Sequence, residues 1–174
     1  MRIPISALRP GDPILDKGKG PIFIILSFIL GLFDKNWRQR KWKPWHMKTA
    51  IRKVKDGWFV IEALAGGVQG NLYTLEELTA NSRAYRWCDE PSRAQIKAFK
   101  EKYVGYPYDV TAYFGTVFGY LFQKITGKSF RIIDQEHTCW ENGCAAQRMF
   151  GNELQPNEEY PVISEIVNRL EASK

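Results

Sequence analysis

The chain has 174 residues, of which 44% are hydrophobic, 14% aromatic and 25% charged. This is the composition of one globular domain spanning 1–174, and it excludes disordered, collagen-like and coiled-coil classes. The three cysteines, at 88, 139 and 144, are too few and too unevenly spaced for a disulfide framework, and His46 and His137 give no Cys/His zinc spacing. No metal and no organic cofactor is expected.

Met1–Leu15 reads as short and extended, with turn punctuation at Pro10-Gly11-Asp12-Pro13. Pro21–Phe33 is the most apolar stretch and predicts a helix over about 22–33. Its 13 residues fall short of the roughly 20 that a spanning helix needs. It begins after Asp12 and Asp16 and has no small-x-small cleavage site behind it, so it is not read as a signal peptide. The helix is expected to pack on the domain, touching a membrane at most. Synthesis in the cytosol is expected, with release by lysis or packaging into a phage particle as onward routes.

The net charge of +6 is local. Residues 35–55 carry nine Lys or Arg and no acid, which leaves the remainder at −3. Trp37, Trp42 and Trp45 lie in the same segment. Basic and aromatic residues together suit an anionic polymer or a membrane surface. Nucleic acid is the less expected partner, although phosphate contact and base stacking use the same residue types. The plain alternative is a solvated strand and loop with its lysines in water.

A basic loop runs to Pro44, and Trp45–Val54 reads as a strand. Asp56-Gly57 signals a hairpin, Trp58–Leu64 is strongly β-prone, and Gly66-Gly67 turns the chain into a third strand over Val68–Tyr73. Ser92 caps a helix over about 93–103, in which Ile96, Phe99 and Tyr103 recur at helical spacing. Asp109 caps a second over about 110–123, and Phe130–Ile133 forms a short strand. Helices over about 139–149 and Val162–Ala172 complete an α+β pattern, a small antiparallel sheet or barrel packed against helices.

Cys139 is the sharpest chemical feature. A cysteine at a helix N-terminus feels the positive end of the helix dipole, which favours the nucleophilic thiolate. The competing reading is a buried structural thiol. Cys144, about 140° further round the helix, and Cys88 are read as core. A thiol nucleophile needs a base. His137, two residues away, is awkwardly placed at a helix start. His46, on a strand, is the preferred partner, because a strand-borne histidine facing a helix-borne cysteine is the papain arrangement.

Glu62 is the candidate to orient the imidazole, against the alternative of a merely solvated acid. A two-residue Asp56-Gly57 loop pairs Lys55 with Trp58 and puts Glu62 on the opposite face from His46. A three-residue loop pairs Val54 with Trp58 and puts them on one face, four residues apart along the ladder, roughly 13 Å before twist. A bulge or strong coiling must close that gap.

Five segments in order resemble the permuted branch of the NlpC-like papain-fold superfamily, which includes YiiX-like amidases and the lecithin retinol acyltransferase group. Leu8-Arg9-Pro10-Gly11-Asp12-Pro13-Ile14-Leu15 is similar to its opening "l-x-x-G-D-i-l" strand, and Trp45-His46-Met47 to "s-H-v". Val60-Ile61-Glu62-Ala63 with Gly67-Val68 is similar to "v-i-E-A…G-V", and Tyr106-Pro107-Tyr108-Asp109 to "x-x-Y-D". Thr138-Cys139-Trp140-Glu141-Asn142 stands where "y-C-S-E-l" is expected. The chain departs in placing Trp45 and Trp140 where small residues are usual, and both rings are expected to narrow the cleft.

The resemblance implies a circularly permuted papain-like fold and a cysteine peptidase or amidase. Cys139 is then the nucleophile, His46 the base and Glu62 the residue fixing its tautomer, with a peptide, peptidoglycan-stem or lipid-amide bond as substrate. Two other readings keep the fold: a lipid-directed acyltransferase or esterase, with the Pro21–Phe33 helix at a membrane interface, and an inactive binding or virion-structural module.

Overall fold

A computed structural model describes residues 1–87, 89–108, 118–119, 122, 125–127, 138–151 and 163–172. The expected helix over 110–123 lies largely, and the strand over 130–133 wholly, outside these residues, as do Asp109, His137 and Cys88. The strands are β1 (Arg2–Ile3), β2 (Pro13–Lys17), β3 (Pro44–Val54), β4 (Gly57–Leu64), β5 (Gly67–Thr74) and β6 (Ser82–Tyr85). Among the described residues the helices include α1 (Pro21–Phe33), α2 (Lys35–Gln39), α3 (Leu75–Asn81), α4 (Arg93–Tyr103), α5 (Cys139–Met149) and α6 (Ile163–Ala172), with a 3-10 turn at Ile5–Ala7. The fold is α+β. Its strands form one antiparallel sheet in the order β1-β6-β2-β3-β4-β5, an open sheet rather than a barrel.

Successive side chains along a strand point to opposite faces, and here both faces are apolar. Leu15, Met47, Ile61, Ala63 and Tyr85 face the larger core, which α4, α5 and α6 fill with Phe99, Trp140, Cys144, Ile166 and Leu170. Ile14, Ala50, Trp58, Val60 and Ala84 face a second cluster, closed by Ile3, Ile5, Leu8 and Leu78.

The three-stranded meander β3–β5 matches the sequence reading, and the rest corrects it. The expected basic loop contains α2, started by Asp34, whose Oδ1 accepts from the Trp37 N–H at 3.0 Å. Helix α3 and strand β6 were not foreseen, although Thr74 and Glu77 form a reciprocal capping box that is written in the sequence. Helix α1 is only half buried: Leu26, Ser27, Leu30 and Gly31 face the domain, and Trp37 Nε1 donates to Ser27 Oγ at 3.1 Å. Among the described residues no helix is long and apolar enough to cross a membrane.

Two bulges shape β3. Its turn into β4 falls one residue earlier than expected, with Val54 opposite Gly57. Ile51 is then an extra residue, since Arg52 pairs with Phe59 but Ala50 pairs with Val60. Beyond the bulge Lys48 lies opposite Glu62. Without it Glu62 would face Thr49, on the wrong side of the sheet for His46. A second irregularity, at Trp45, separates the His46–Asp16 pair from the Pro44–Lys17 pair.

Helix α5 lies close on β3 because Gly143 carries no side chain: a Cβ there would stand 2.4 Å from Met47 Sδ. Met47 is fully buried, so Gly143→Ala is expected to overpack the core and cost about 1–3 kcal/mol. Urea denaturation checks this, and shortening the clashing side chain in Gly143→Ala/Met47→Ala should make the two losses less than additive.

Candidate active site

The site begins with one buried carboxylate. Glu62 sits in mid-β4 with a side chain 0% exposed. An ionised carboxylate in such a place must be paired and hydrogen-bonded. Its Oε2 accepts from His46 Nε2 at 2.6 Å. Its Oε1 accepts from Asn71 Nδ2 at 2.9 Å and Tyr73 Oη at 2.7 Å. Burial raises the Glu62 pKa, but the hydrogen bond and charge of His46, with Tyr73 and Lys48 behind them, hold it down at about 2. Glu62 is therefore an acceptor only, so Nε2 of His46 carries the proton and Nδ1 is the ring nitrogen left for Cys139.

The bulge at Ile51 brings His46 to Glu62. With Lys48 opposite Glu62, His46 is two residues along β3 on the same face, the diagonal position. Diagonal neighbours lie about 7–8 Å apart, within reach of long side chains. The four-residue gap foreseen from the sequence is thus halved by the earlier turn and the extra residue.

Cys139 is the first residue of α5. Thr138 caps the helix: its Oγ1 accepts from the Glu141 N–H at 3.2 Å while its own N–H donates to Glu141 Oε2 at 2.7 Å. The thiol is buried and points at the Trp45 carbonyl, with Sγ 3.9 Å from the oxygen. The charge of Cys139 also acts on the His46 ring. Burial lowers the pKa of His46, but Cys139 and then Glu62 overcome this and push it up to about 10. The ring thus has Glu62 on one side and Cys139 on the other, with its side chain 18% exposed. His46 and Glu62 are hydrogen-bonded, and the Cys139 thiol rests against the carbonyl of Trp45, the residue before His46.

Cys144 is core, as expected: burial pushes its thiol up to about 12. Trp140 differs from expectation. Its ring is buried in the core, and its Nε1 donates to the Trp45 carbonyl at 3.2 Å. Trp45 is half-buried, edge-on to Phe23 of α1 with centroids 4.9 Å apart.

Sequence reasoning missed the polar residues around the carboxylate. Asn71 and Tyr73 share the Glu62 face because Glu62 pairs with Gln69 and every second residue follows it. Burial, then the bond to Glu62, raise the Tyr73 phenol well above its usual range, so it stays a donor. Lys48 is buried over the Tyr73 ring, 3.5 Å from its centroid, and binds Asp16 Oδ2 at 2.7 Å. Asp16 Oδ1 accepts from Ser82 Oγ at 2.6 Å. The hairpin register, once fixed, is the signal that finds Asn71 and Tyr73. Asn142, one turn along α5 from Cys139, is buried with neither amide atom hydrogen-bonded.

The cations of the basic segment are distributed over several places. Lys48 is spent inside the site, and Arg40 binds Glu171 and Asn168 of α6. Arg52 and Lys53 line a groove of about 820 Å³ with Arg93, Lys97 and Lys100 that contains none of the three site residues. Among the described residues no group of three or more His, Cys, Asp or Glu is placed to hold a metal. Comparison with protein-family models, curated proteins and solved structures finds no match to this chain.

The two shifts fix how stability follows pH. The raised His46 value stabilises the fold fully below its ordinary 6.5, and that contribution is lost as pH rises through about 10. The lowered Glu62 value stabilises above its ordinary 4.5, and that is lost as pH falls through about 2. Glu62→Gln is therefore expected to lower the melting temperature most between about pH 4.5 and 6.5, with the gap to the parent narrowing toward pH 10. Melting curves across that range check it, and a gap independent of pH would show that the pair is not ionic.

Proposed function

We propose that the chain is a cysteine-dependent amide hydrolase, a peptidase or amidase, with Cys139 as nucleophile, His46 as general base and Glu62 as the residue that orients the imidazole. The observation that carries this reading is the His46 ring bonded to a fully buried carboxylate, with a cysteine at a helix N-terminus resting against the carbonyl of the neighbouring Trp45. A carboxylate used only for solubility would face water. This one has three donors, and one of them fixes the tautomer of a histidine beside a thiol.

In this reading the thiol proton rests on Nδ1 of His46, giving a thiolate beside an imidazolium that Glu62 stabilises from the other ring nitrogen. The thiolate attacks the amide carbonyl carbon, the C=O π electrons move onto oxygen, and the tetrahedral oxyanion accepts from the Cys139 N–H at the start of α5. The cap takes the Glu141 N–H, and the Thr138 carbonyl takes that of Asn142. The Cys139 N–H, at the first helical position, has no place in the intrahelical ladder. The C–N bond then breaks, and His46 returns the proton to the leaving amine. Water, deprotonated by His46, releases the acid and restores the thiol.

The order histidine strand, acidic strand, cysteine helix supports a permuted papain-like fold of the NlpC-like kind, and with it a peptide or peptidoglycan-stem bond as substrate. The half-exposed α1 favours a lipid-linked amide or ester as the second reading.

Iodoacetamide labelling followed by peptide mapping tests the assignment. At about pH 6 Cys139 is expected to react first, while Cys144, a neutral and buried thiol, stays unmodified. His46→Ala should slow labelling at least tenfold, and should lower hydrolysis of a responsive amide substrate by about 10²–10⁴-fold. Labelling that starts at Cys144, or that ignores His46, would sink the proposal.

A further inference from the structure

We infer that α1 docks the protein on an anionic lipid surface, lying in the plane of the interface next to the Cys139–His46 pair. The outer side of α1 exposes Ile24 (65%), Ile25 (59%), Phe28 (67%) and Leu32 (58%). Positions 24, 28 and 32 repeat every four residues and form one stripe along the helix, with Ile25 beside it. Isolated apolar side chains on a surface need no explanation, but four large ones on one helix mark an interaction face.

Charge selects the occupant. Between residues 17 and 43 there are seven Lys or Arg and a single acid, Asp34. The Asp34 carboxylate is turned inward to cap α2. Lys17 before the helix and Lys35, Arg38 and Lys41 after it are exposed. An apolar stripe flanked by cations matches the acyl boundary and phosphate layer of an anionic leaflet. A second copy of this chain would bring the same cations together. At 1.5 Å per residue, α1 is about 20 Å long, too short to span a hydrocarbon core of about 30 Å and suited to lying along its surface.

The docking face is tied to the site. Phe23 of α1 packs edge-on against Trp45, and the Trp45 carbonyl faces the Cys139 thiol. A membrane under α1 therefore lies beside the nucleophile. On the proposed activity, the substrate class becomes an amide or ester carried by a lipid-anchored molecule.

Co-sedimentation with phosphatidylcholine vesicles, with and without phosphatidylglycerol, tests the docking on the full chain. Wild type is expected to bind the phosphatidylglycerol-containing vesicles, and less tightly as salt rises. Phe28→Asp should weaken binding roughly tenfold to a hundredfold. Lys35→Glu/Arg38→Glu should remove the preference for phosphatidylglycerol. Both changes sit on exposed positions, so unchanged melting temperatures confirm intact folds. Absence of wild-type binding at low salt, or equal binding by Phe28→Asp, overturns the inference. So does a lipid-free dimer that Phe28→Asp dissociates. Cys139→Ala should bind like wild type. If wild type binds the vesicles but hydrolyses no amide or ester, docking stands and the proposed activity falls.

Discussion

The Glu62 carboxylate constrains more of this structure than any other group. A carboxylate fully buried in the middle of a sheet is tolerated only when donors meet both oxygens. The fold draws those donors from the strands on either side: His46 from β3, and Asn71 and Tyr73 from β5. Lys48 adds positive charge from β3 and is itself held by Asp16 of β2. Asp16 in turn takes Ser82 of β6. A polar line thus crosses five neighbouring strands on one face of the sheet, beside the apolar cluster of Ile14, Ala50 and Val60. Such a line is exacting. Removing one member leaves its neighbours buried and unpaired, at roughly 1–3 kcal/mol for a neutral group and more for a charge.

That demand explains why β3 is irregular. A regular hairpin with the observed turn would set Glu62 across from Thr49, on the face of Met47 rather than that of His46. One extra residue at Ile51 turns it to the side that holds His46. The histidine was legible in the sequence because only two exist, and the cysteine because a helix start with Thr138 at its cap could be read directly. The turn signals Asp56-Gly57 and Gly66-Gly67 gave β3–β5. The bulge was not legible: Ile51 is an ordinary apolar strand residue, and only the pairing on both sides of it shows that it is surplus. Helix α3 carried a readable signal in Thr74 and Glu77, but its seven residues are too few for apolar periodicity to stand out. Helix α2 was hidden by its charge, since a basic segment reads as a loop until Trp37 is seen to be buried.

Sequence and structure also diverge over what the tryptophans do. Large rings beside a nucleophile and a base read as obstructions when only their positions are known. In the fold, Trp140 points away from the cleft, because the second position of α5 faces the core that Ile166 and Leu170 help to fill. The ring's single polar atom then needs an acceptor, and finds it in the Trp45 carbonyl. The irregularity at Trp45 is thereby fixed in place rather than left free to slip.

The Trp45 carbonyl has two lone pairs, and consecutive residues of α5 approach both: the Cys139 thiol at 3.9 Å and the Trp140 indole at 3.2 Å. The short indole bond ties the nucleophile helix to the histidine strand. The long thiol contact is weak and can be exchanged for His46 without disturbing that tie. A small residue in place of Trp140, as in the pattern this chain resembles, would keep the thiol contact and lose the tie. The nucleophile and base would then be held only by packing. Because Trp45 also carries the Phe23 ring of α1, one residue joins the apolar surface helix, the histidine strand and the cysteine helix. Any contact that orders α1 is felt first at the backbone against which the thiol rests.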